Sequence, residues 1–277
     1  MTRHTDKHSS PEVHGGELLS RVMSALALGA IALAGAVIGG WPATIVAGAF
    51  SVIVLKEWLS ITDRGNRVAL WLAMPVIVAF GAWTLGYSAA TWALALGAVV
   101  VAAFTGGWPW RPLGVVYAGA FGLSLLILRH APADGLMVLL FVFAVVWATD
   151  TAAYFGGRAI GGPRLWPAVS PNKTWSGALS GLAGGTVAGV VVLLAGGIVP
   201  GLIGVLVAIL LSTCGQAGDL FESWVKRRFG AKDSGTLIPG HGGLMDRVDG
   251  LIFAAVAAAI VGLVHNPLSP ASGLLIW

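Results

Sequence analysis

Between Asp219 and Asp249 the chain gathers five acidic residues, five basic residues and one histidine, although only 10% of its 277 residues are charged. Ionisable groups beside apolar segments are costly unless they pair, bind a ligand or face water, so their concentration marks a site. Asp219 and Glu222, three residues apart, share one face of a helix. The run Asp233-Ser-Gly-Thr-Leu-Ile-Pro-Gly-His-Gly-Gly243 places glycines at 235, 240, 242 and 243, where bare backbone N–H groups can approach an anion closely. Hard carboxylate oxygens, several bases and such a loop are the ingredients of a site for a magnesium-bound polyphosphate. Carboxylates would hold the metal while bases neutralise phosphate oxygens. His241 has no second histidine or cysteine at ligand spacing, which argues against zinc. Binding phosphate, moving a proton and holding the turn all remain open for it.

The elements that must position these groups are membrane helices. A chain that is 57% hydrophobic, with a mean hydropathy of +0.86, is not a soluble domain. Only a helix of roughly 20 apolar residues satisfies its own backbone across a bilayer core of about 30 Å. The hydropathy pattern predicts an all-α polytopic membrane protein with about nine transmembrane helices. They fall near residues 18–39, 42–61, 68–86, 88–105, 113–130, 135–156, 176–196, 199–220 and 250–266. Residues 1–17 read as a disordered cytoplasmic tail, 18–134 as N-terminal transmembrane helices, and 135–277 as a C-terminal catalytic region with a cytoplasmic loop at 221–249. Glycines 181, 184, 185 and 189 predict close helix packing. The lone Cys214 excludes an internal disulfide framework and reads as a small core residue.

Loop charge sets the orientation. With the N-terminus in the cytoplasm, nearly all lysines and arginines fall in inner loops and only Arg129 falls outside, as the positive-inside rule requires. The net charge of +4 therefore reflects topology, and no nucleic-acid partner is implied. Lys56, near the inner end of the second span, can snorkel or pair with Glu57. Trp108, Trp110, Trp166 and Trp175 read as interfacial anchors. In this topology Asp150, Asp219, Glu222, Asp246 and Asp249 converge at the inner ends of spans six, eight and nine, giving a polar site that faces the cytoplasm. Lys226, Arg227 and Lys232 are placed to meet a triphosphate or a lipid phosphate, and Arg158 and Lys173 to reach the same place from the loop before span seven. Asn172 and Ser223 are candidate donors to phosphate or helix caps, and Arg228 reads as a surface anchor.

These residues carry a family resemblance. The run from Ser223 through Lys226-Arg227, Lys232-Asp233, Gly235 and Pro239-Gly-His-Gly-Gly243 to Asp246-Arg247 and Asp249 resembles the signature of phosphatidate cytidylyltransferase, or CDP-diacylglycerol synthase. Asp150-Thr-Ala-Ala-Tyr-Phe-Gly-Gly-Arg158, followed by Ser170-Pro-Asn-Lys-Thr-Trp175, resembles the segment preceding that signature. Ser176 departs from the pattern, since many members carry an acidic or amide residue there. The resemblance covers about residues 150–250.

It implies transfer of a cytidylyl group from CTP to phosphatidic acid, with magnesium as cofactor and a monovalent cation such as K+ beside it in some relatives. It further implies Asp219 and Asp246 as metal ligands, and Asp219, Asp246, Lys226 and His241 as the catalytic set. Asp150, Arg158, Asn172, Lys173, Ser223, Arg227, Lys232, Gly242, Gly243, Arg247 and Asp249 would bind substrate. The expected setting is the inner membrane, among membrane lipids and with the N-terminus cytoplasmic; a homodimer fits the family. Two other classes stand against this reading. A cation-coupled transporter would carry polar groups along a path from both faces, whereas the outer halves of these spans are nearly free of charge. A CTP-dependent lipid kinase shares the hydropathy and metal chemistry, but the run from His241 to Asp249 favours the cytidylyltransferase.

Overall fold

The computed structural model describes residues 12–63, 97, 100, 108–131, 134–235 and 242–276. Within them the chain forms α1 (Glu12–Ile38), α2 (Gly40–Thr62), α3 (Trp110–Arg129), α4 (Gly135–Ile160), β1 (Arg164–Trp166), β2 (Ser170–Thr174), α5 (Trp175–Ala195), α6 (Leu202–Arg228), α7 (Met245–His265) and α8 (Pro270–Leu275). Six of the described helices, α2 to α7, are long and apolar enough to cross a membrane, and α1 contributes a shorter apolar stretch, Leu26–Ile38. The protein is a helical, multi-pass membrane protein. The spans expected at 68–86 and 88–105 lie outside the described residues except for Gly97 and Val100.

Two boundaries differ from the sequence reading in ways that matter for the site. Helix α6 runs on past Leu220 to Arg228, and α7 begins at Met245. Thus Lys226, Arg227 and Arg228 belong to the last turn of a helix rather than to a loop. Basic side chains there meet the negative end of the helix dipole. The helix ends where Gly230, at φ +67°, lets Ala231 N–H reach the Lys226 carbonyl at 2.8 Å. The second difference is a small antiparallel hairpin, β1 with β2, in a chain read as wholly α. Three- and five-residue strands carry too little periodicity to stand out between two long helices.

Helices α4 and α5 pack through the expected small-residue stripe. Gly177, Gly181, Gly185 and Gly189 form the buried side of α5. A Cβ at Gly177, Gly181 or Gly185 would stand 2.9 Å from the carbonyl oxygens of Ala153, Thr149 and Val145 respectively, so backbone lies against backbone. The Thr149 and Ser212 hydroxyls, 2.8 Å apart, join α4 to α6 in the same core. On the other side, Trp58 of α2 is fully buried and packs against Tyr117 of α3 and Phe221 of α6, with ring centroids 5.1 and 6.1 Å away. Its indole N–H donates to the Trp110 carbonyl at 2.8 Å, which satisfies the polar end of an otherwise apolar anchor. Trp110, buried in part, is thereby packed within the protein. Arg111 Nε and Asp63, 2.6 Å apart, join the start of α3 to the segment after α2. Helix α6 is thus held from two sides, by α4 at Ser212 and by α2 and α3 at Phe221.

Candidate active site

A cavity of about 740 Å³ opens between α4, the hairpin, the start of α5 and α6. Asp150, Tyr154 and Arg158 enter it from α4, Arg164, Asn172 and Lys173 from the hairpin, and Gln216 and Asp219 from α6. The hairpin is fixed where it meets α5. Thr174 is the N-cap, its hydroxyl accepting Gly177 N–H at 3.0 Å. Arg164 donates to the Asn172 carbonyl at 3.0 Å. Ser176, the position that departs from the family pattern, bonds to the Gly161 carbonyl and lies 3.0 Å from the Thr174 hydroxyl. It closes the junction between α4 and α5. Lys173, one residue before the cap, is thereby directed at Asp219, with which it forms an ion pair.

The walls are polar in a graded way. Arg158 lies over the Tyr154 ring, its guanidinium carbon 5.3 Å from the ring centroid, and donates to the phenol oxygen. With Arg164 and Lys173 it makes the hairpin side of the cavity basic. Asp150 and Asp219 supply negative charge opposite, and the charge of Asp219 also acts on Asp249 of α7. Ser223, one turn beyond Asp219, directs its hydroxyl at Asp219 Oδ1 across 3.5 Å.

A second polar cluster continues along α6 toward the membrane surface. Glu222 is fully buried, and among the described residues no hydrogen bond closes on either of its oxygens. The Lys226 ammonium stands 3.4 Å from Oε1 and 2.6 Å from Asp246 Oδ1. Asp246 also accepts Ser234 N–H at 2.9 Å, the Ser234 hydroxyl at 2.8 Å and Gly243 N–H at 2.8 Å, all at Oδ2. It therefore ties the first turn of α7 to Ser234 and Gly243 as well as partnering Lys226.

Of the residues singled out in the sequence, Asp150, Arg158, Asn172, Lys173 and Asp219 meet in the cavity. Lys226, Asp246 and Gly243 meet in the second cluster. Gly242, at φ +82°, leaves no room for a Cβ beside Asp246. Asp249 is half-buried, with Gly250 N–H donating to its Oδ1 at 2.7 Å. Arg227 is turned toward the Val169 and Ala231 carbonyls, each at 3.4 Å, and Lys232 and Arg247 are exposed. His241 lies outside the described residues.

The sequence reading missed Glu57 as a site residue and expected it beside Lys56. Instead Lys56 is exposed while Glu57 is buried against the start of α7, accepting Leu244 N–H at 2.9 Å and Met245 N–H at 2.7 Å. The signal available was a carboxylate inside an apolar span, but its partners lie nearly 190 positions away. Ser234, Gln216, Tyr154 and Arg164 were missed for the same reason, being ordinary polar residues until the fold brings them together.

Comparison with known proteins agrees with this geometry. The sequence profile of the cytidylyltransferase family matches residues 19–265. The phosphatidate cytidylyltransferase of Brucella suis is 44% identical over 257 residues, covering 89% of this chain and 94% of that protein. That of Brucella abortus strain 9-941 matches to the same extent. The phosphatidate cytidylyltransferase of Staphylococcus haemolyticus is 44% identical over 133 residues, 48% of this chain and 51% of that protein. A profile that runs from the first apolar helix to the end of α7, and so takes in both the cavity and the second cluster, leaves a single assignment: the chain belongs to the cytidylyltransferase family.

Proposed function

We propose that this membrane protein transfers the cytidylyl group of CTP to phosphatidic acid, forming CDP-diacylglycerol and pyrophosphate for phospholipid biosynthesis. The observation that carries the reading is the 44% identity across 94% of the Brucella suis phosphatidate cytidylyltransferase. A cavity bordered by Arg158, Arg164 and Lys173 on one side and by Asp150 and Asp219 on the other suits the same chemistry. In the reaction a phosphate oxygen of the lipid forms a bond to the α-phosphorus of CTP. The bond from that phosphorus to the bridging oxygen breaks, and pyrophosphate leaves with the electron pair. The lipid phosphate is already an anionic nucleophile, so no strong general base is required. The enzyme's task is to bring two polyanions together and to balance the charge that moves onto the leaving group.

The residues fit a magnesium ion. Asp150, Asp219 and Asp249 feel one another's charge, and a lysine ammonium already rests on Asp219. Magnesium takes one or two carboxylates and fills its shell with water and phosphate oxygens. Asp219 would hold it, with Asp246 as the partner the family signature implies; Asp246 would then release donors that now occupy it, whereas Asp249 has fewer to release. When bound, magnesium supplies charge neutralisation at the phosphates. A monovalent cation such as K+ beside it belongs to the same proposal. Lys173, Arg158 and Arg164 orient the phosphates from the hairpin side, and Asn172 adds an amide donor. His241, Gly242, Lys232 and Arg247 enter the proposal through the family signature.

The lysine and arginine distribution favours a site on the cytoplasmic side of the inner membrane, with the N-terminus on that side. A homodimer is part of the proposal. The deciding experiment uses purified protein, phosphatidic acid and magnesium with CTP labelled at the α- or the γ-phosphate. Label from the α position in the lipid product supports the transfer. Label from the γ position would mean a kinase, and no label in lipid would overturn the reading.

A further inference from the structure

Glu57 belongs to α2, in the N-terminal half of the chain, yet its carboxylate reaches the first turn of α7. Oε1 accepts Leu244 N–H at 2.9 Å, Oε2 accepts Met245 N–H at 2.7 Å, and the Ser234 hydroxyl stands 3.2 Å from Oε2. The residue is only 5% exposed, and all three donors are neutral. A helix start presents N–H groups that have no partner within the helix and the positive end of its dipole, so a carboxylate there supplies acceptors that the turn itself lacks. Gly235 and Gly243, at the described ends of the glycine-rich segment, lie against this side chain. A Cβ at Gly235 would stand 3.0 Å from Glu57 Oε1, and one at Gly243 would collide with both Glu57 and Ser234. The bare backbone that sequence reasoning assigned to a ligand anion here wraps an anion of the protein itself.

The same turn carries Asp246, and Asp249 follows three residues later on the same face. The Ser234 hydroxyl lies within reach of both Glu57 and Asp246, and its single proton serves one carboxylate at a time. A shift of Glu57 therefore alters the turn that aims Asp246 and Asp249 and the donor set of Asp246.

We propose that Glu57 is a positioning residue for the cytidylyl transfer, fixing the first turn of α7 and the directions of Asp246 and Asp249 without touching the reacting groups. The inference rests on the function proposed above. Its test compares full-length wild type with Glu57→Gln and Glu57→Asp in detergent. Glutamine keeps the shape but opposes an NH2 group to a backbone N–H; aspartate keeps the charge but is one methylene short.

Hydrogen exchange without nucleotide should show faster exchange of the amides at 243–248, with the C-terminal half of α7 unchanged. The kcat should fall by roughly ten- to a hundredfold, and half-saturation by magnesium should move to higher concentration while KM for CTP changes little. A folded variant with wild-type kcat and magnesium dependence overturns the proposal, as does unchanged protection at 243–248. If the glutamine variant does not fold, the aspartate variant is held to the same readouts. Failure of both to fold would make Glu57 a folding residue and overturn its positioning role. A wild type that transfers no label from CTP defeats the functional reading instead, and the exchange data then stand alone on whether Glu57 holds the turn.

Discussion

The Lys226 ammonium joins two helices at once: it is 2.6 Å from Asp246 Oδ1 on α7 and 3.4 Å from Glu222 Oε1 one turn back on α6. Its side chain is 12% exposed and that of Glu222 not at all, so this is a buried charge network in which removal of the Lys226 cation deprives Glu222 of its ion-pair partner and leaves Asp246 with neutral donors alone. Lys226→Ala should cost about 3 kcal/mol of stability and abolish most lipid product. Lys232→Ala and Arg228→Ala, at exposed positions, should leave the thermal midpoint unchanged. Thermal melts of the three proteins side by side test this. An unshifted midpoint for Lys226→Ala would release Lys226 from a structural role and leave it free to contact phosphate.

Lys173 rests on Asp219 across the cavity, which balances a carboxylate that would otherwise repel both Asp150 and incoming phosphate. Lys173→Ala is expected to raise KM for CTP by at least about tenfold, as loss of a charge-assisted contact does. Lys173→Arg should restore only part of this, because the planar guanidinium does not fill the same point position. Steady-state kinetics with CTP varied decide it. An unchanged KM in the alanine variant would confine Lys173 to its pairing with Asp219.

The carboxylates can be separated by metal titration. Asp219→Asn should lose activity at every magnesium concentration. Asp246→Asn removes the partner of Lys226 and weakens the tie from α7 to Ser234 and Gly243, so it should lower stability together with activity. Asp249→Asn should shift half-saturation by magnesium upward without destabilising the fold. Turnover across a magnesium series, paired with thermal melts, distinguishes the three. Near-normal turnover of Asp219→Asn at low magnesium would remove it from the metal site.

Packing of α5 on α4 leaves no room for a side chain at Gly185, where a Cβ would meet Thr149 and the Val145 carbonyl. Gly185→Leu should separate the two helices and spoil the Thr149–Ser212 contact, costing about 1 to 3 kcal/mol as overpacking does. It should also reduce activity, because the hairpin that bears Lys173 runs directly into α5. Gly197→Ala, at a position with open space, is a useful contrast, since its φ of +77° penalises any side chain by backbone conformation alone. It should destabilise without altering KM. Equal kinetic damage from both would argue against the packing account.

Topology is open to a direct check. A reporter inserted at Gly235 should read cytoplasmic and one fused after Trp277 should read the opposite face, because α7 crosses once between them. Both reporters on one side would contradict the orientation drawn from loop charge.

The sequence by itself determined the class of the protein and much of its chemistry. Hydropathy alone requires membrane helices, since no other backbone arrangement in this composition satisfies itself in lipid. The boundaries at α4 and α5 and the glycine stripe between them were legible because spacing along one helix encodes which face is bare. Asp150, Asp219, Arg158 and Lys173 were legible as site residues because charge is rare in this chain.

Tertiary structure decided how these groups are used. It showed that Lys226 belongs to a helix and is committed to two carboxylates, that Lys173 pairs with Asp219, and that the bare N–H groups at 243–245 are taken by Asp246 and Glu57. None of this follows from spacing, because the partners come from helices far apart in the chain whose approach is set by the packing of Trp58, Tyr117 and Phe221. A glycine-rich segment announces that an anion will lie against its backbone. Whether that anion is a ligand or the protein's own carboxylate depends on which helix the fold places beside it.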